Sequence, residues 1–272
     1  MVRRKFLSKR NRTTTGLIAG VLIISTLFPS FAQNGFSQLV SAASHFLPLQ
    51  SQQVRTVSSA SGSQARQQGY TSWDEQESPN YVRLVGPSRI DQVVESGQVL
   101  YAGLDSLGRT LEVHACITYQ MMEGGMARER EQMSNPSGWP RKNPEVQIEL
   151  YNGSFYRGRL WNRSHLLAKS LGGKETVENL VTGTRMQNVG ANDGQGGMAL
   201  VETAVRNWLK AHPSGTVQFV ATPIYEGDER ICRSVIVDVK TSDGFIDEEV
   251  EVYNAAKGYE LNYYTGEAIA QQ

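Results

Sequence analysis

The sequence has few histidines, few cysteines and no excess charge of either sign. Its 272 residues include four histidines and two cysteines, and 27 basic residues balance 27 acidic ones. Global charge therefore gives no indication of a polyanionic partner. A zinc site built from several histidines is disfavoured, because no second and third histidine arrive at ligand spacing. The glycines of GANDGQGG, residues 190–197, follow no predicted strand and precede no Lys-Ser pair, so they do not form a phosphate-cradling loop.

The sequence also lacks an apolar run long enough to cross a membrane comfortably. GLIAGVLIISTLF, residues 16–28, is apolar for thirteen residues and ends at Pro29, which is too short for a comfortable membrane span. Six basic residues precede this run, and SFA at 30–32 offers small residues where a signal peptidase cleaves. Residues 1–32 are therefore expected to be a secretory signal peptide, with an uncleaved anchor as the alternative. Its removal leaves 21 basic against 27 acidic residues.

The remaining chain divides into a tether and one folded domain. Residues 33–78 are rich in Ser, Gln, Ala and Gly and are expected to form a flexible tether. Residues 79–272 are predicted to form an α+β domain with a mainly antiparallel sheet. Strands are expected around a turn at 105–108 and within 216–225, 234–241 and 248–255, with a short helix at 126–131 and a loop at 135–144. MALVETAVRNWLKA, residues 198–211, carries one apolar stripe and predicts an amphipathic helix.

The two cysteines, Cys116 and Cys232, lie far apart in the sequence. An even number of cysteines in an exported protein favours a disulfide over two buried free thiols. Such a bridge stabilises a fold by about 2–4 kcal/mol where the geometry permits it.

Charge is distributed unevenly along the chain. Residues 151–212 hold eight basic and four acidic side chains, whereas residues 226–251 hold nine acidic and three basic ones. A positive segment within an acidic protein is typical of a phosphate-binding cleft. An ordinary solvated surface is an equally good interpretation of the charge pattern alone.

His165, in WNRSHLLAKSLGG, is the histidine with the most polar and basic surroundings. A histidine can take a proton from water, oxygen ligands suit Mg²⁺, and arginine stabilises charge that builds on a phosphate. These groups are a sufficient set for phosphodiester hydrolysis, although spacing alone also allows structural roles for each of them. His114 and His212 are interpreted as structural histidines, and Trp139 and Trp161 as core residues. The candidates near His165 are Arg163, Arg185, Asn188, Glu202 and Arg206.

NRSHLLAKSLGG, ENLVTGTRMQN and the helix with Glu-x-x-x-Arg together resemble the DNA/RNA non-specific endonuclease family. Within it, the chain is most similar to secreted streptococcal DNases (streptodornases) and to the DNA-entry nuclease. The resemblance extends from about Tyr101 to the C-terminus. It implies the ββα-metal (His-Me finger) nuclease fold.

The resemblance also implies roles for individual residues. His165 matches the general base that activates the attacking water, and Asn188 matches the single direct protein ligand of the metal. Glu202 matches a glutamate that holds metal-bound water, and Arg206 matches an arginine near the scissile phosphate. Mg²⁺ is the implied cofactor, for which Mn²⁺ can substitute. The other matched positions are Arg163 of the histidine motif, Asn179 in a supporting role and Arg185 as a phosphate contact.

The implied activity is sequence-non-specific cleavage of DNA by a secreted monomer, which gives 5′-phosphate and 3′-hydroxyl ends. Cleavage of RNA, strand preference and biological role stay open. The broader family has Asp-Arg-Gly-His where this chain has Asn162-Arg163-Ser164-His165. The loss of the carboxylate leaves open a secreted DNA-binding or surface-interaction protein with weakened catalysis. An exported toxin nuclease with an immunity partner is a third possibility.

Overall fold

The computed structural model describes residues 72–271. The predicted signal peptide, residues 1–32, lies outside the described residues, as does residue range 33–71 of the predicted tether. No helix within 72–271 is long and apolar enough to cross a membrane. The α-helices are α1 (Tyr119–Ala127), α2 (Arg185–Val189) and α3 (Met198–Ala211). The strands are β1 (Val82–Gly86), β2 (Val99–Tyr101), β3 (Val113–Thr118), β4 (Glu145–Glu149), β5 (Phe155–Arg159), β6 (Trp161–His165), β7 (Leu180–Thr184), β8 (Thr216–Ile224), β9 (Ser234–Thr241), β10 (Asp247–Tyr253), β11 (Tyr259–Leu261) and β12 (Ala268–Ala270).

The largest layer is a six-stranded antiparallel sheet with strand order β1-β10-β9-β8-β3-β2. Its strands either alternate apolar and polar residues or are apolar along their length, as is typical of strands that are buried on one or on both faces. The strands predicted at 216–225, 234–241 and 248–255 are β8, β9 and β10, and the turn at 105–108 joins two antiparallel segments. The predicted α+β class with a mainly antiparallel sheet is confirmed.

Helix α3 covers one face of this sheet. Its apolar stripe packs with alternate residues of β8, β9 and β10 in the main core, and each fully buried aliphatic or aromatic side chain contributes about 1.5–3 kcal/mol. The helix ends at Ala211, before Pro213, as the sequence predicts. The stripe members that reach the core are Leu200, Val201, Val205, Trp208 and Leu209.

The hairpin β6–β7 and helix α2 form a second, smaller unit beside the sheet. Helix α2 begins directly after β7, because the Thr184 hydroxyl accepts the Gln187 N–H at 2.9 Å and caps the first turn. Asn254, which follows β10, attaches the unit to the main sheet. Its side chain accepts the Thr184 N–H and donates to the carbonyl oxygens of Thr182 and Cys232. The hairpin and helix therefore have a fixed position on the sheet.

The short helix predicted at 126–131 is wrong in its position. Helix α1 spans Tyr119–Ala127, so it begins seven residues before the predicted start, and residues 128–134 are irregular. The Thr118 hydroxyl caps α1 by accepting the Met121 N–H. The helix contains Gly124 and Gly125. Because glycine disfavours helices, the local sequence did not predict a helix here. A Cβ on Gly125 would lie 2.2 Å from the Lys169 carbonyl oxygen, so glycine is required there by packing.

The expected disulfide is also wrong. Cys116 and Cys232 are both free and buried. Cys116 lies opposite Gln218 on β8, whereas the N–H of Arg233, next to Cys232, bonds to Ile224 near the other end of β8. The segment from Gln218 to Ile224 spans roughly 20 Å of β8, whereas the Cα atoms of a disulfide lie within ~7 Å of each other. Burial raises the pKa of the Cys232 thiol to about 12.

The folded part begins before the predicted boundary at residue 79. The Trp73 ring stacks on Tyr81 with centroids 4.6 Å apart, and Ser78 is buried. The Glu75 carboxylate lies 2.6 Å from the Lys257 ammonium. Residues 73–78, expected in the tether, are therefore part of the domain.

Candidate active site

His165 is the last residue of β6 and pairs with Leu180 across the hairpin. Its Nε2 atom is buried and has no hydrogen-bond partner. Burial lowers the pKa of His165 to about 4, an effect that Glu175 opposes and that Arg130, Arg128 and Lys169 reinforce. The imidazole is therefore neutral near pH 7, as a general base must be.

Arg163 and His165 share one face of β6, because alternate residues of a strand point to the same side. The Arg163 guanidinium donates two hydrogen bonds to the Asn135 side-chain oxygen and stacks over the Trp139 ring at 4.5 Å. Trp161 is buried in the second core cluster, and its indole N–H donates to the Gly266 carbonyl. The prediction that Trp161 is a core residue is confirmed.

Asn179 holds the loop that follows His165 in place. Its side-chain oxygen accepts the Leu167 N–H, and its amide nitrogen donates to the carbonyls of Leu167 and Lys174. The side chain is fully buried and all of its polar groups are engaged within the protein. Asn179 therefore holds the loop after His165, which is compatible with the supporting role that the family resemblance implies.

Asn188 lies on α2, where the hairpin geometry brings it against β6. Its Oδ1 accepts a hydrogen bond from the Ser164 hydroxyl at 3.3 Å, so it lies beside the residue that precedes His165. Arg185 occupies the same face of the helix one turn earlier. The Arg185 guanidinium lies 5.3 Å from the Tyr156 ring centroid, and burial lowers the pKa of Arg185.

Glu202 and Arg206 lie on consecutive turns of α3 and form an ion pair at 3.6 Å. Burial raises the pKa of Glu202, and the Arg206 guanidinium acts in the opposite direction. Arg206 also donates to the hydroxyls of Ser170 and Thr203. Because Ser170 follows His165 by five residues, this contact brings the α3 pair to the histidine loop.

The glycine-rich loop between α2 and α3 allows the two helices to approach closely. Gly197, the residue before α3, has φ +60°, and a Cβ there would lie 2.4 Å from the Met186 carbonyl oxygen. Gly190, directly after α2, also has a positive φ. These glycines allow a tight turn after Asn188, and the turn leads into α3, the helix that carries Glu202 and packs against α2.

Hydrogen bonds thus link three parts of the chain: β6 and its loop bond to helix α2 through Ser164 and Asn188, and to the middle of α3 through Ser170 and Arg206. Within residues 72–271, no hydrogen bond joins His165, Asn188 and Glu202 directly, and no group of three or more His, Cys, Asp or Glu side chains is placed to hold a metal. His212 is structural: its Nδ1–H donates to the Trp208 carbonyl oxygen, and its ring stacks on the Trp208 ring.

The sequence did not identify Ser164, Ser170 or Glu175 as neighbours of the site. Ser164 stood inside the quoted motif, and its position beside His165 was the available signal. Ser170 and Glu175 come from the loop after β6, where only the fold shows which side chains turn back towards the histidine. Glu175 is buried, and one of its carboxylate oxygens accepts the Glu131 N–H.

A hairpin followed by a helix, with a histidine ending the first strand and an asparagine on the helix, is the ββα-metal nuclease arrangement. Comparison with known proteins agrees with this class. Residues 87–243 match the family model for DNA/RNA non-specific endonucleases, and this match contains His165, Asn188 and Glu202. The chain belongs to the DNA/RNA non-specific endonuclease family.

The similar proteins include a curated deoxyribonuclease from Streptococcus dysgalactiae subsp. equisimilis. It is 33% identical over 214 residues, which cover 68% of this chain and 65% of that protein's length. The Sda1 nuclease, solved with a bound zinc ion, is 32% identical with a TM-score of 0.68 and covers 73% of this chain and 100% of that one. NucA from Streptococcus agalactiae, solved with magnesium, is 20% identical with a TM-score of 0.53, covers 68% of this chain and 84% of that one, and shows the fold alone.

Proposed function

We propose that this protein is a Mg²⁺-dependent, sequence-non-specific endonuclease that hydrolyses DNA to 5′-phosphate and 3′-hydroxyl ends. Family membership supports the proposal, as does 32–33% identity to a deoxyribonuclease and to a nuclease. The likeness to metal-bound nucleases supports a divalent cation, and Mn²⁺ is expected to substitute for Mg²⁺.

The observation that carries the proposal is the neutral, unpartnered imidazole of His165. In the tautomer that carries its proton on Nδ1, the Nε2 atom has a free lone pair. This atom is proposed to take the proton from the attacking water as the water adds to the phosphorus.

Asn188 and Glu202 are the residues that fit a divalent cation. Asn188 offers a neutral carbonyl oxygen, and Glu202 offers a carboxylate whose raised pKa reflects its removal from water. Mg²⁺ accepts such oxygen donors and keeps several of its waters. Asn188 would hold the ion directly, and Glu202 would hold it through water. When bound, the cation supplies charge stabilisation for the phosphate and the leaving 3′ oxygen.

The arginines are proposed to bind the phosphate backbone. Arg206 is fixed by Glu202, Ser170 and Thr203, which preorganises its guanidinium near the site. Arg163 and Arg185 are each held over an aromatic ring. Contacts to phosphates carry no sequence information, so cleavage is expected to show little sequence preference.

The lowered pKa of His165 predicts how stability depends on pH. The folded state holds the pKa at about 4, whereas an unfolded histidine titrates near ~6.5. The unfolded chain therefore binds more protons between these values, and the free energy of unfolding falls as pH drops through this window. The His165 contribution amounts to at most about 3 kcal/mol. Urea denaturation of the wild type and of His165→Gln at pH 7.5 and pH 4.5 measures it: the wild type is expected to lose more stability than the variant. Equal losses would contradict a buried neutral imidazole.

Digestion of plasmid DNA tests the proposed activity. The expected mature chain, residues 33–272, is incubated with plasmid in Mg²⁺ and in EDTA, beside Asn188→Ala. A DNA smear is expected that requires the metal and that disappears in the variant, because Asn188 supplies the direct metal ligand. End-labelling of the products is expected to show 5′-phosphates.

Asn207→Ala is the matched control, because Asn207 is an exposed asparagine on α3. This variant is expected to cleave DNA like the wild type. Intact plasmid in every lane, with salt-sensitive DNA binding retained, would favour the DNA-binding protein without catalysis. Cleavage that continues in EDTA would contradict the metal dependence.

A further inference from the structure

Ser164 lies between the two functional side chains of β6 but points away from them. Successive residues of a strand face opposite sides, so Ser164 faces α2 while Arg163 and His165 share the other face. The side chain is fully buried. Its hydroxyl therefore needs a partner within the protein, and that partner is Asn188 Oδ1, at 3.3 Å.

The contact matters because an asparagine amide has two ends of the same shape and opposite chemistry. Only the carbonyl oxygen can bind a cation, and rotation of the side chain by half a turn would present the NH₂ group instead. In this structure the Ser164 hydroxyl donates to the oxygen. Because Ser164 is fully buried, its O–H needs an acceptor, which the NH₂ group of a rotated amide could not be. The oxygen has two lone pairs, so the bond from Ser164 leaves one for a second partner.

The packing around Ser164 fixes its position relative to α2. A Cβ on Gly183, in the neighbouring strand, would lie 2.7 Å from the Ser164 Cβ and 2.2 Å from the Gln187 side-chain oxygen. Gln187 precedes Asn188 and is fully buried, so glycine at 183 is what allows both side chains to fit against the hairpin. The Thr184 cap holds the start of the same helix.

We propose that Ser164 is a positioning residue that orients the Asn188 amide so that its oxygen is presented to the divalent cation. The inference rests on the proposed role of Asn188 as the metal ligand. Ser164 does not touch substrate or metal, and it acts only through Asn188. Loss of such a partner of a metal ligand typically weakens metal affinity ~10–100-fold.

Mn²⁺ binding to the DNA-free protein, followed by the EPR signal of free Mn²⁺, tests the inference without any reading of activity. Ser164→Ala and Ser164→Gly both remove the hydroxyl and are expected to bind Mn²⁺ at least ~10-fold more weakly than the wild type. In cleavage assays, the same variants should need correspondingly more Mg²⁺ for half-maximal rate. Their rate at saturating Mg²⁺ should approach that of the wild type, because Asn188 is retained.

Ser154→Ala is the matched control, since it removes an exposed hydroxyl whose hydrogen bond is to Asn152 in the turn between β4 and β5. Wild-type Mn²⁺ affinity in both Ser164 variants, with binding lost in Asn188→Ala, would overturn the role of Ser164 and keep the proposed function. Wild-type affinity in Asn188→Ala would show that Asn188 is not the ligand, and both assignments would fail. The presence of two Ser164 variants keeps the test valid if one of them folds poorly.

Discussion

Replacement of His165 by alanine is expected to lower the rate of DNA cleavage by at least ~10²-fold, the low end of the effect of a general base. The loss should appear in kcat at saturating Mg²⁺ and DNA. Substrate binding should change little, because the neutral imidazole contributes no charge to the phosphate contacts. The rate of plasmid nicking measures the effect.

Among the residues that the structure describes, two carboxylates lie on segments next to the His165 loop. Glu202 is engaged with Arg206, and its proposed role is to hold metal-bound water. Glu175 lies close enough to influence the pKa of His165, but it is buried and bonded to the Glu131 N–H.

His212→Ala is the control for this prediction, because His212 packs on Trp208 at the end of α3 and has no part in the proposed chemistry. Circular dichroism and the Tm of the His165 variant establish that the fold is retained. Turnover within threefold of the wild type by a folded His165→Ala protein would remove the general-base assignment.

Replacement of Asn179 by alanine is expected to lower the free energy of unfolding by about 3 kcal/mol or more. The change leaves the Leu167 N–H and two carbonyls without their partners, and each buried unpaired group costs ~1–3 kcal/mol. Because the same bonds hold the loop after His165, cleavage should also fall by roughly tenfold or more. Urea denaturation and plasmid nicking measure the two effects.

Asn152→Ala provides the matched comparison. The Asn152 side chain also accepts hydrogen bonds, from the backbone and hydroxyl of Ser154, but it does so in an exposed turn where water can replace it. Its loss should cost well under ~1 kcal/mol. A similar small cost for Asn179→Ala would show that the loop has other restraints.

Secondary structure was largely predictable where the local pattern and the tertiary environment agree. The stripe of α3 and the β-branched runs of β8, β9 and β10 carry the periods of a helix and of strands, and these elements formed as expected. Helix α1 was missed in position because Gly125 opposes a helix locally. Glycine is required at position 125 because the Lys169 carbonyl oxygen lies too close for a side chain, and no local sequence pattern reveals that contact.

Long-range proximity was the part that the sequence could not supply. An even number of cysteines favoured a bridge, yet the order of strands in the sheet places Cys116 and Cys232 near different ends of β8. Trp73 belongs to a segment of tether-like composition, yet its stacking on Tyr81 makes it part of the domain. Composition describes the average preference of a segment, and one large contact can outweigh it.

The sequence by itself determined the fold class, the family resemblance and the identity of His165, Asn188, Glu202 and Arg206 as candidates, because these depend on residue types and spacings. Only the tertiary structure decided that Asn179 holds a loop, that the His165 imidazole is neutral through burial, and that Ser164 bonds to Asn188. The physical reason is that burial and hydrogen-bond partners arise from segments distant in sequence, which the folded chain alone brings together.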